Sequence, residues 1–185
     1  MRVLALVGPL ITCLVACGKN EQPVQEPVAN APSTEEQKLY EQVRTGKFQL
    51  DAAADSIEEA LRGVSSLAES QSDETKEALL ETKGLLDSAG RKVAEHAGDA
   101  GSFETFKAAF AQADEERLQA ISAANRAITE VRDAQRVLQD LLESGPPKKE
   151  LEALTAISSS VEDAIDALVE AVTALGGDVT PVPDQ

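Results

Sequence analysis

The chain predicts an all-α fold: an antiparallel up-down helical bundle of about four coiled-coil-like helices. Three observations carry that expectation. Apolar residues recur at alternating steps of three and four in separate stretches between residues 34 and 175, the spacing that lines one face of a helix. No segment alternates polar and apolar residues over a useful length, so no strand is expected. Short breaks containing Gly, Pro or Ser divide the stretches, and short connections set consecutive helices antiparallel.

The chain opens with a segment of another kind. Met1-Arg2 precedes an apolar run from Val3 to Ala16, the length of a signal h-region and short of the roughly 20 apolar residues that span a bilayer. Gly8-Pro9 in its middle further weakens a spanning helix. The run ends in Leu14-Val15-Ala16-Cys17. These four residues resemble the lipobox of bacterial lipoprotein precursors. The resemblance covers only the first seventeen or so residues and implies signal cleavage between Ala16 and Cys17, with lipidation of Cys17. Cys13 fits the pattern less well, because Thr12 precedes it where Ala, Gly or Ser belongs. Gly18 follows the cysteine in place of Asp, which in this class implies the outer membrane where the source has one. Two or more acyl chains hold a protein stably at a membrane where one does not. Cleavage and acylation would leave the mature chain without a free thiol, and so without disulfides, thiolate catalysis or cysteine metal sites.

Residues 17–33 form the acylated cysteine and a tether. Gly18 to Ser33 holds three prolines, no aromatic residue and little to bury. In polyproline-like form, at about 3.1 Å per residue, it reaches some 50 Å. The helical domain is assigned to residues 34–175, and residues 176–185, rich in Gly, Pro and Asp, to a disordered tail.

The first helix is expected from Thr34 to Ser70, with Leu39, Val43, Gly46, Leu50, Ala53, Ile57, Ala60, Val64 and Leu67 along a narrow seam. The second opens at Ser72, whose hydroxyl can cap while Asp73 and Glu74 favour the first turn. It carries Leu79, Thr82, Leu86, Ala89 and Val93, and ends at Gly98. A third, capped by Ser102, passes from Phe103, Phe106, Phe110 and Ala113 to Ile121, Ala124, Ile128, Val131, Leu138 and Leu142 without a Gly or Pro, which predicts one rod to Glu143. Ser144-Gly145-Pro146-Pro147 then supplies a glycine stop and a proline start. The fourth carries Leu151, Leu154, Ser158, Val161, Ile165, Leu168, Val172 and Leu175 and closes at Gly176-Gly177. At 1.5 Å per residue these rods differ in length, about 55, 37, 60 and 43 Å. Either the first breaks at Gly46, or the bundle is staggered and exposes part of a seam.

Net charge is −16. Such a body repels nucleic acid and anionic headgroups, and no nucleic-acid partner is expected. Glu58-Glu59, Asp114-Glu115-Glu116 and Glu162-Asp163 read as solvated helix faces. A carboxylate-bridged metal centre in a bundle needs a Glu three places before a His, but Val93 holds that place before His96, the only histidine. His96 instead suits the negative end of the second helix. His96, Asp99 and a serine compose a triad only on paper, since no strained nucleophile turn accompanies them. Gly98-Asp99-Ala100-Gly101 and Gly176-Gly177 follow no strand and are not phosphate loops.

Phe103, Phe106 and Phe110 form one stripe at i, i+3 and i+7, a possible ligand or docking patch, or else rings that close a wide bundle end. With no Trp and only Tyr40, the chain lacks the usual interface anchors and sugar platforms. The expected protein is therefore not an enzyme and needs no cofactor or metal. It is a lipid-anchored cell-envelope protein with a non-enzymatic structural or protein-interaction role, touching the membrane through its anchor and binding another envelope protein or itself. The alternative is an envelope carrier or sensor holding a small apolar ligand inside the bundle near the phenylalanines.

Overall fold

The structure, a computed structural model, describes residues 34–71 and 73–180, without the side chains at 73 and 74. The expectations for the signal segment, Ala16, Cys17 and the tether lie outside the described residues, as do those for the Ser72 cap with its acidic first turn and for residues 181–185.

Five helices pack against one another: α1 (Thr34–Ala68), α2 (Asp73–Ala94), α3 (Phe103–Ala108), α4 (Phe110–Glu143) and α5 (Lys148–Ala174). No strand occurs among the described residues. Both α1 and α4 lie against α2 and α5, and the four long helices share one core.

The expected seam of α1 is the buried one, from Val43 through Leu67, with Leu39 half-buried at the open end. Gly46 does not break the helix. Leu175, at the end of α5, fills the space a β-carbon at 46 would need, so glycine is there for close approach. The α1 backbone turns off at Ser70, whose amide and hydroxyl both donate to the Leu67 carbonyl. In α2 the expected Leu79, Thr82, Leu86, Ala89 and Val93 are all buried. Thr82 is polar yet tolerated, because its hydroxyl donates to the Ala78 carbonyl one turn back at 2.9 Å. The helix stops at Ala94, ahead of Gly98, and the amides of His96 and Ala97 both reach back to Val93.

Two expectations are corrected. The single rod from Phe103 to Glu143 is broken at Ala109, whose φ of −118° and ψ of 25° leave the helix. Ser102 caps α3 as expected, accepting from the Thr105 amide. The cause of the break lies outside the local sequence. α2, at 22 residues, is much shorter than α1, at 35. The difference leaves about 20 Å of α1 without α2 beside it. The short α3 packs against both α1 and α4 there, and the buried Phe106 covers what a straight rod would expose.

In α5 the seam is displaced. Leu154, Val161, Leu168, Val172 and Leu175 are buried as expected, but Ile157, Ala164 and Ala171 take the alternate places. Ser158 and Ile165 are only half-buried, and Leu151 is 42% exposed. A helix held by α1 on one side and α4 on the other buries a face wider than a two-position seam.

The end of α5 is closed by its glycines. Gly176, at φ 76°, donates to the Thr173 carbonyl and Gly177 to that of Val172, both at 2.9 Å, the paired bonds of a Schellman motif. Beyond it, Gly176–Thr180, the start of the segment assigned to a disordered tail, lies on α4 with Val179 packed against the core.

Candidate functional site

The phenylalanine stripe acquires a fourth ring from a distant helix. Tyr40 of α1 meets Phe103 edge-on at 5.3 Å and Phe106 at 5.4 Å, and Phe106 meets Phe110 at 6.1 Å with the planes nearly perpendicular. These are the preferred edge-to-face geometries of aromatic quadrupoles. Phe106 is buried and its two neighbours half-buried. The Tyr40 hydroxyl donates to the Gly101 carbonyl at 2.9 Å, while the Asp99 carboxylate accepts from the Gly101 amide at 3.0 Å. Asp99 thus shapes the α2–α3 turn. The rings fill one another's faces and fasten that turn to α1.

His96 is half-buried beyond the end of α2 and lines two small grooves. One, of about 310 Å³, also carries Lys47, Glu116 and Arg117; the other, of about 300 Å³, carries Lys92, Gln119 and Arg126. Among the described residues no cluster of three or more His, Cys, Asp and Glu could hold a metal ion. The acidic runs lie mainly at the surface: Glu58, Glu59, Glu115, Glu116, Glu162 and Asp163 are exposed, and the half-buried Asp114 pairs with Arg117 at 2.8 Å.

Polar networks that the sequence reading missed join the elements. Between α2 and α4, Lys92 Nζ donates to both oxygens of Glu130, at 2.7 and 2.9 Å, and to Ser88 Oγ at 2.7 Å. Arg117 Nη1 donates to the Leu175 carbonyl at 2.6 Å, capping an α5 end that has no basic residue of its own. Eight residues further along α4, Asn125 grips the returning strap. Its Nδ2 donates to the Asp178 carbonyl at 3.2 Å and its Oδ1 accepts from the Thr180 amide at 2.9 Å. No local pattern marks a lone helical Asn or Arg as the partner of a main chain more than fifty residues away.

A further groove lies elsewhere. It has a volume of about 740 Å³, between the C-terminal third of α1 and the N-terminal half of α5, and no aromatic residue lines it. Comparison of the chain with protein-family models, with curated proteins and with solved structures finds no match.

Proposed function

We propose that this is a lipid-anchored cell-envelope protein whose helical body has a non-enzymatic structural or protein-interaction role. The observation that carries the reading is Leu14-Val15-Ala16-Cys17 at the end of a short apolar N-terminus. It makes Cys17 the acylated first residue of the mature chain. Residues 18–33 then act as the stalk, and the body is held at the outer membrane where the source has one. No helix among the described residues is long and apolar enough to cross a membrane, so in this reading attachment falls to the N-terminus.

The body itself is proposed to be an antiparallel up-down bundle. Gly46 in α1 abuts Leu175 at the end of α5, and Gly63 abuts Ile157, so positions rise along one helix as they fall along the other. The mutual packing of Tyr40, Phe103, Phe106 and Phe110 supports closure of a bundle end over a ligand chamber, and favours the interaction role over the carrier alternative.

The test is metabolic labelling with palmitate and fractionation. The wild-type chain is expected to take up label and to sediment with membranes, and mass analysis should place its N-terminus at Cys17. Cys17→Ala should lose the label and the cleavage. An unlabelled wild-type chain, or a Cys17→Ala variant with unchanged processing, overturns the proposal.

A further inference from the structure

The strap beyond α5 is held chiefly through its main chain. The Asp178 carbonyl and the Thr180 amide flank Val179, and one side-chain amide meets both: Asn125 Nδ2 donates to the first at 3.2 Å and Oδ1 accepts from the second at 2.9 Å. Asn125 is itself steadied, because Nδ2 also donates to the Ile121 carbonyl one turn back at 3.2 Å. A donor and an acceptor placed side by side in this way do for an extended segment what a sheet edge does for an added strand. Every residue except proline offers the same two main-chain groups.

Only two strap positions are read beyond the backbone. A β-carbon at Gly177 would meet the Ile121 side chain at 2.7 Å, so glycine alone fits there without displacement. Val179 packs against the core, whereas Asp178 and Thr180 are exposed. The pattern admitted is glycine, any residue, an apolar residue of valine's size, and any residue that keeps its amide N–H. The hold is also shallow, because both bonds to the strap are exposed and water can replace them. Leu118, seven positions before Asn125 and so on the same face of α4, remains 54% exposed. A partner that covers it buries apolar surface the strap leaves open, which lets it compete with a segment tethered at high effective concentration.

We propose that this face of α4 is a docking site for an extended peptide of a partner polypeptide carrying that pattern, and that the chain's own Gly177–Thr180 occupies the site in the partner's absence. The inference rests on reading the body as an interaction module, and it gives the partner's chemistry.

The test uses the full-length chain in detergent micelles and two synthetic peptides. One copies residues 176–185; the other keeps only Gly-Lys-Val-Gln between unrelated flanks. Val179→Asp puts a charge into the apolar seat and Thr180→Pro removes the donated amide, so each variant frees the site. Either peptide should shift the Asn125 side-chain resonances of both variants to saturation, at concentrations about tenfold below those the wild type requires. Adding Asn125→Ala should abolish the matching shifts at Ile121, and so should Thr180→Pro made in the first peptide. Circular dichroism verifies an unchanged helical content in each variant. No saturable shift in the freed variants, binding indifferent to Asn125→Ala, or binding of the first peptide alone overturns the docking site. A wild-type chain of twice the expected mass, returned to single mass by both strap variants, shows straps exchanged between copies and overturns the partner peptide. Palmitate labelling of the same preparations separates the two proposals: a labelled chain that binds neither peptide sinks the docking site alone, and an unlabelled chain that binds both sinks the anchor alone.

Discussion

At Gly46, two effects of a single methyl group compete. An alanine in a helix interior is favoured over glycine by about 1 kcal/mol, while a methyl forced into a filled space costs about 1–3 kcal/mol. Leu175 occupies that space, so Gly46→Ala should lower stability by about 1 kcal/mol. Gly84 on the exposed face of α2 has nothing within 4 Å of the same position. There Gly84→Ala should raise stability by up to about 1 kcal/mol. Thermal and urea unfolding of the two variants should move in opposite directions; movement in the same direction would show that helix propensity alone decides. Asn125 makes a different kind of contact. It holds main chain rather than side chain, and Asn125→Ala releases both bonds to the strap. A net cost of about 1–2 kcal/mol is expected from two hydrogen bonds that water can replace. Hydrogen exchange should show the Thr180 amide losing its protection while the amides of the α5 interior keep theirs.

Among the elements, α3 owes its place to the ring cluster and to its contacts with α1 and α4. Phe106→Ala removes the ring that touches both Tyr40 and Phe110, at a cost of about 3 kcal/mol. The loss should be local: α3 and the α2–α3 turn should exchange and cleave readily while the four long helices stay protected. Limited proteolysis checks it, and a uniform loss of protection across all helices would refute the local view. This region also shows where sequence legibility ends. The seams of α1 and α2 could be read residue by residue, because each long buried face is written into its own helix. The bend at Ala109 could not, because alanine is a good helix former and the demand for a bend comes from the shortness of α2. Three of the eight expected α5 seam positions lie off the buried face, two of them for a related reason: Ser158 and Ile165 satisfy a three-four count as well as Ile157 and Ala164 do, and only the neighbours on both flanks choose between them. Of the candidate site residues, the phenylalanines were legible as a stripe, but their partner Tyr40 lies some sixty residues earlier and shares no local pattern with them.

For the whole molecule, electrostatics works against compactness. A chain of net charge −16 repels itself more when folded than when expanded, and the described ion pairs are mostly exposed contacts within one helix. Raising salt from 10 to 150 mM shortens the screening length from about 30 to 8 Å. The midpoint of thermal unfolding should therefore rise with salt. A fall would mean that Lys92–Glu130 and its kin outweigh the general repulsion.

The apposition of α1 near Gln42 with Gly176 at the close of α5 has a mechanical corollary. The polypeptide enters and leaves the described body at one end, so a load drawn between Thr34 and Thr180 falls first on the two bonds that Asn125 makes to the strap and next on Gly46 and Leu175. It then travels down the α1–α5 contact turn by turn. Such a joint unzips gradually under small forces, whereas the same contact loaded from opposite ends would have to shear all at once.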